Sequence, residues 1–363
     1  MLKKNYKEAM ERNKRFLKRQ MMDGILFKTG VRKNPYAVHE DRDEEWTDRE
    51  CLAISEPAWV LENCRQGARV YGDIDDDTIP EGYPTLHYGE SVYSYLLGGK
   101  VQFVGNGHYT CSGAEPLVAS EADLEKLKGF EGSERVKAFA ESARYFAKET
   151  RGDFWLRYFI GIDALNLAVE LLGTTNAYIM LSDDEALMRK IMEFGVEYNY
   201  WFYKLQKEIF RANNMAALGD EEFYDLYDKP WYSIDAYDIC DQEVYRKLGF
   251  EYQQALINRV GGGMLHTHGT GLARILPLIS QLKGLSRLQL GRDLYSDEYL
   301  GIENLRPFRE ATGDTPLQFA VSEAEFLDGI KNRTLPGGVE YMCTVDDIQT
   351  ANALAYMAKE YRA

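Results

Sequence analysis

The sequence predicts an α/β protein, a (β/α)8 TIM barrel preceded by an N-terminal helical extension, and three observations predict it. Short β-branched or apolar runs recur from about residue 69, helical patterns lie between most of them, and polar residues collect directly after the runs. The expected division is residues 1–68 as a helical extension packed on the barrel and residues 69–363 as the barrel itself.

The first 22 residues place Tyr6, Met10, Leu17 and Met21 at near-helical spacing among Lys and Arg, the periodicity of an amphipathic surface helix. Residues 23–68 are mixed and charged, and EDRDEEWTDRE at 40–50 reads as a solvated loop or helix start. The strand candidates then follow: ARVYGDI (68–74), KVQFV (100–104), FWLRYFIG (154–161), NMAALGD (214–220), GGMLHTHG (262–269), LSRLQLG (285–291), TPLQFAV (315–321) and GVEYMCT (338–344). Among the intervening helices 182–214 is the clearest, opened by Ser182 and Glu185 as a capping box. Eight candidates over nearly 280 residues suit an eight-stranded barrel better than a six-stranded doubly wound sheet.

With 363 residues, 45% of them hydrophobic, the chain can bury a large core. A net charge of −15 disfavours nucleic acid and anionic membrane surfaces as partners. There is no long apolar run, and the basic opening lacks the apolar core of a secretory signal. Cys51, Cys64, Cys111, Cys240 and Cys343 are odd in number, widely spaced and without a CxxC pair. Together these features point to a cytoplasmic protein with reduced thiols.

In a barrel, chemistry sits at the C-terminal ends of the strands. The polar residues expected there are Asp73, Asp163, Asp220, His266, His268, Arg292, Asp293 and Cys343. An acid after a strand is also the ordinary N-cap of the next helix, so it is their shared rim that carries the signal. His266 and His268 stand one residue apart in a strand pattern and therefore face the same side, a spacing that can chelate one metal ion. The alternative is a pair of hydrogen-bonded residues lining the mouth. Cys343 is either a further ligand or a small buried hydrophobe. Asp220 is either a general base or fourth ligand, or a helix cap. The aromatic stretch at 223–237 contains Tyr224, Tyr227, Trp231 and Tyr232, which either wall a substrate pocket or pack a long loop onto the rim.

From residue 69 onward the layout resembles the uroporphyrinogen decarboxylase superfamily, which includes zinc-dependent methyltransferases that work with corrinoid proteins. The resemblance rests on HYGESVYSYLLGGKVQF with EPLVASEADLEKLKGF, on FIGIDALNLAVELLGTTNAYIMLSDDEALMRKIMEF, on YSIDAYDICDQEVYRKLGFEYQQAL, on GGGMLHTHGTGLARILPLI, and on TLPGGVEYMCTVDDIQTANALAYM, in that order. The methyltransferase branch holds its metal through a His-x-Cys pair on one strand and a second Cys at the last. The matching positions here are His266, His268 and Cys343, so a histidine stands where that branch has a thiolate. The resemblance implies zinc at these three residues and methyl transfer from a methylated corrinoid carried by a partner protein to a small thiol or folate-like acceptor. Asp220 would handle the acceptor's proton, with Asp73, Asp163, Trp231, Arg292 and Asp293 around the substrate. It also allows a homodimer, since related barrels often pair.

The decarboxylase branch uses an arginine-rich loop, and Arg65 to Arg69 read RQGAR, a scrambled version of its motif. A carboxy-lyase, or a non-catalytic protein binding a tetrapyrrole or corrinoid, is the alternative within the superfamily. Gly269, Gly271 and Arg274 form G-x-G-x-x-R with Asp293 some 20 residues later, a degraded dinucleotide fingerprint that would suit an oxidoreductase.

Overall fold

The computed structural model describes residues 3–33, 35, 57–84, 91–105, 110–292 and 301–363, with backbone alone at 102–105, 110–113, 269, 270 and 272. Its strands in chain order are β1 (Ile25–Val31), β2 (Glu81–Gly82), β3 (Val101–Gly105), β4 (Thr110–Ala114), β5 (Trp155–Leu156) and β6 (Gly161–Ile162). They continue with β7 (Trp231–Ser233), β8 (Met264–His268), β9 (Arg287–Gly291), β10 (Leu317–Val321) and β11 (Val339–Val345). Seven of them form one parallel sheet in the order β1-β11-β10-β9-β8-β7-β6. From β6 to β11 the spatial order follows the chain, and helices intervene between these strands, which is the pattern of a TIM-barrel-like sheet.

No closed ladder forms among the described residues. β2 and β5 make a separate parallel pair, and the gap between β1 and the segment before β2 is bridged largely by side chains. Asp77 donates its backbone N–H to the Phe27 carbonyl at 2.9 Å, while its Oδ2 accepts from Phe27 N at 2.9 Å. Asp76 Oδ2 accepts from Thr29 N at 2.8 Å. Both carboxylates are buried, and both are answered from the N-terminal segment, by Lys3 Nζ 2.7 Å from Asp76 and Arg12 Nε 2.6 Å from Asp77. Burying an acid without such a partner would cost several kcal/mol, so the seam depends on these two cations (about 3–5 kcal/mol for a broken pair).

The alternation along each strand separates an outer, helix-facing side from an inner one. On β11, Tyr341 lies against Phe326 of the helix Glu323–Asn332, and Phe27 of β1 stacks on the same ring at 4.3 Å. Glu340, one residue earlier, points the other way to Lys28, Arg287 and Gln318. On the outside, the 34-residue helix Glu185–Leu218 packs against the helices Glu134–Thr150, Ala164–Leu172 and Phe250–Val260.

Several sequence expectations need correction. The first 68 residues are not a helical extension: after the helix Tyr6–Leu17 they supply β1, which pairs with β11 along its whole length. ARVYGDI is the end of the helix Pro57–Val70 and a 3-10 turn, and NMAALGD is the last turn of the long helix, closed by Gly219 at φ 69°. That helix opens on Asp184, whose side chain accepts from Leu187 N, and Ser182 is not its cap. KVQFV is a strand but pairs antiparallel with β4, apart from the main sheet. The aromatic stretch at 223–237 is not one loop over the mouth, since it contains the helix Glu221–Tyr227 and then β7. No helix among the described residues is long and apolar enough to cross a membrane.

Candidate metal centre

β8 leaves the inner-facing His266 and His268 half-buried and fully buries Leu265 and Thr267, the alternation expected of a half-covered strand. Their two Nε2 atoms lie 3.2 Å apart. A third group comes from the 3-10 turn Asp235–Tyr237, which directly follows β7. Asp235 Oδ1 is 3.8 Å from His266 Nε2, and Oδ2 is 3.7 Å from His268 Nε2. Among the described residues, Asp235, His266 and His268 form the group whose ligand atoms converge closely enough to hold one metal ion.

The surroundings orient this trio. Gln289 of β9 stands beside His266 in register, and its Oε1 accepts from the Nδ1–H at 2.5 Å. Nδ1 must carry the proton because the amide oxygen can only accept, which leaves Nε2 bare in the neutral ring. Ser233 Oγ donates to Asp235 Oδ2 at 2.7 Å, while Oδ1 is buried with no hydrogen-bond partner. Gly291 makes room for both rings: a Cβ there would lie 3.3 Å from His268 Nδ1, 3.4 Å from His266 Cε1 and 3.0 Å from the Thr267 carbonyl.

Were both nitrogens bare they would repel at 3.2 Å, so either a proton on His268 Nε2, donated to His266 Nε2, or a cation lies between them. Around a tetrahedral zinc with nitrogens at ~2.0–2.1 Å, ligand atoms sit ~3.3–3.4 Å from one another. The nitrogens are 3.2 Å apart, and each lies 3.7–3.8 Å from a different oxygen of Asp235, so a modest turn of the carboxylate toward both rings would bring one oxygen into such a set. A buried carboxylate oxygen without a donor is costly in the same place. The donor set and the orphaned oxygen both fit a divalent cation.

Two further acids flank the cluster. Asp163 is fully buried, and burial, with a contribution from Asp235, pushes its carboxyl up to about 7 despite hydrogen bonds from Asn166 N and Leu165 N. It caps the helix Ala164–Leu172, and its own N–H continues the β6–β7 pairing by donating to the Ser233 carbonyl at 2.9 Å. Asp238 is also raised to about 7, by burial first and by Asp235 second. Thr267 Oγ1 donates to its Oδ1 at 3.1 Å.

The other expected site residues lie elsewhere. Cys343 is a buried free thiol that shares the helix-facing side of β11 with Tyr341, and its neighbours in register are Thr29 and Val321, not β8. Burial raises its thiol to about 11. Asp220 caps the helix Glu221–Tyr227 through Phe223 N and pairs with Lys14 at 2.9 Å, which holds its carboxyl below the ordinary range. It precedes β7 and so sits on that strand's entry side, opposite the histidines. Asp73 closes a 3-10 turn and pairs with Lys4 at the surface. Arg292 grips Glu325 with two bonds of 2.7 Å, and Trp231 carries the Arg157 guanidinium 4.1 Å from its ring centre. Asp293 lies outside the described residues. RQGAR lies within the helix Pro57–Val70, where Arg65 donates to the Glu149 carbonyl at 3.0 Å.

The dinucleotide reading fails on topology, because the sheet runs sequentially from β6 to β11 and has no reversal of strand order where a dinucleotide would bind. Gly271 and Arg274 have another explanation. A Cβ on Gly271 would lie 2.2 Å from Asp238 Cα, and Arg274 donates to the Asp238 carbonyl, so both serve the close approach of this helix to the turn behind Asp235.

No family model matches the chain, and no curated protein does. A solved methyltransferase from Methanosarcina mazei is similar in fold, with a TM-score of 0.63, covering 97% of this chain and 98% of that one. The sequence identity is 13%, so the likeness shows a shared fold.

Proposed function

We propose that this protein is a metal-dependent enzyme of the methyltransferase kind, a divergent member of the uroporphyrinogen decarboxylase superfamily, with zinc held by His266, His268 and Asp235. The observation that carries the reading is the unpartnered Asp235 Oδ1, 3.8 Å from His266 Nε2, beside two imidazole nitrogens 3.2 Å apart. The fold shared with a methyltransferase and the order of sequence segments support the reaction class. Asp235 takes the place that the sequence resemblance gave to Cys343.

When bound, zinc would supply Lewis-acid polarisation of the acceptor and make the group it holds more acidic. Two neutral imidazoles and one carboxylate leave such a site with a net charge of about +1 (two minus one), unlike a site with two thiolates. With that charge the three residues would favour a tightly held, weakly nucleophilic acceptor thiolate and a more acidic water. Gln289 fixes the His266 tautomer, and Ser233 fixes the Asp235 carboxylate. Asp238, whose carboxyl burial and Asp235 raise to about 7, would take up the acceptor's proton, in the role expected of Asp220. The methyl donor in this scheme is a methylated corrinoid on a partner protein, and the acceptor is a small thiol or folate-like molecule.

Metal analysis of the purified chain tests the reading. About one zinc per chain is expected, lost in His266→Ala/His268→Ala and weakened in Asp235→Ala. Iron in its place would overturn the zinc assignment, since two histidines and a carboxylate also suit ferrous iron. Absence of any stoichiometric metal, with tight binding of coproporphyrin or a corrinoid, would favour a tetrapyrrole-binding protein instead.

A further inference from the structure

Inside the sheet lies a cavity of about 400 Å³, the size of a small-molecule site, whose lining reaches Arg32 and Thr344 at the C-terminal ends of β1 and β11. Trp231 and Arg287 line it, each two residues before a residue that supports the metal centre, Ser233 on β7 and Gln289 on β9. Its charges do not balance. Lys28 Nζ and Arg287 Nη1 share one carboxylate oxygen, Glu340 Oε2, at 3.1 and 3.2 Å, and Glu340 is completely buried. Arg157 pairs with Glu81 at 3.2 Å. With Arg32 at the rim paired to Asp346, the remaining three lining cations share two carboxylates, Glu81 and the buried Glu340. Burial works against the Lys28 charge, yet Glu340 and then Tyr227 more than offset it, so the ammonium persists.

A second observation concerns Gln318, which also lines the cavity. Its amide nitrogen donates to Glu340, while its Oε1 is buried and lacks a partner. A surplus cation and an unfilled acceptor in one aromatic-walled space call for a molecule that brings both a negative group and a donor. Trp155, Tyr227 and Trp231 supply flat walls for its body. In a chain of net charge −15, a recessed positive spot also distinguishes this cavity from the surface around it.

We propose that this cavity is a binding site for a small organic acid bearing a hydroxyl or amino group, its acid group held by Lys28 and Arg287 and its donor by Gln318. The site does not depend on the metal, and its test is run on chelator-treated full-length protein so that the two assignments succeed or fail separately.

Titration calorimetry with 4-hydroxybenzoate against the uncharged 4-hydroxybenzamide provides the measurement. One molecule of the acid per chain is expected, bound at least about tenfold more tightly than the amide, as for a charge-assisted contact. Lys28→Gln and Arg287→Gln should each lose about tenfold on the same grounds, and each leaves Glu340 one cation, so folding is preserved. Arg189→Gln, at an exposed helix pair, should bind like the parent. Glu340→Gln should bind the acid more tightly, a gain that a purely structural role would not produce. Equal affinity for acid and amide, or unchanged binding in Arg287→Gln, would overturn the assignment.

Discussion

Gln289 Oε1 accepts from His266 Nδ1 at 2.5 Å and thereby decides which nitrogen of that ring faces Asp235 and His268. A leucine there keeps the volume and loses the acceptor, freeing the ring to rotate or change tautomer. Gln289→Leu should lower metal affinity about 10- to 100-fold, as other outer-shell losses do, while leaving the melting temperature nearly unchanged. Chelator competition followed by ultraviolet absorbance measures it, and unaltered affinity would mean that Gln289 does not hold the ring.

The position of Cys343 on the helix-facing side of β11 gives a spectroscopic expectation. Cobalt-substituted protein should lack a thiolate-to-metal charge-transfer band, and Cys343→Ser should retain its metal. A band that vanishes in Cys343→Ser would return the thiol to the ligand set.

Asp163 should make stability fall as pH rises. Its folded carboxyl titrates at about 7 against 3.8 unfolded, so the folded state binds a proton more tightly. That contribution is fully present below about pH 4 and is lost as pH rises through 7. Asp163→Asn keeps the cap without a charge. Urea denaturation from pH 5 to 8 should show the variant gaining on the parent with pH, and a constant difference would refute the elevated titration.

The seam beside β1 predicts a large loss at one residue. Asp77→Ala strips Arg12 of its buried partner and the Phe27 amide of its acceptor. The expected cost is about 3–5 kcal/mol, read from urea denaturation at constant pH. A loss of less than about 1 kcal/mol, the worth of a surface pair, would mean that the seam is held by other contacts.

The strands from β8 onward were legible because each is five or more residues long, with apolar side chains recurring along it and a clear break before the next helix. The shared face of His266 and His268 followed from period two alone. What misled was glycine. Gly219 in the left-handed region ends a helix, but in NMAALGD it reads like the turn after a strand. β7 escaped because three residues, Trp-Tyr-Ser, carry no period. Missing β7 meant missing Asp235, since the turn that presents it is defined only by the strand before it. β1 escaped differently: ILFKTGV is an ordinary strand pattern, but charged segments flank it and its partner, β11, is remote in sequence.

That remote pairing has a consequence for biosynthesis. β1 leaves the ribosome about 300 residues before the strand that will hold it, and an unpaired edge of that kind is a template for wrong partners. The acids at 76 and 77, with Lys3 and Arg12, are made early enough to occupy the other side of β1 during the wait. The four charges that join β1 to its neighbour in the finished fold are thus all made by residue 77, whereas β11 begins at residue 339.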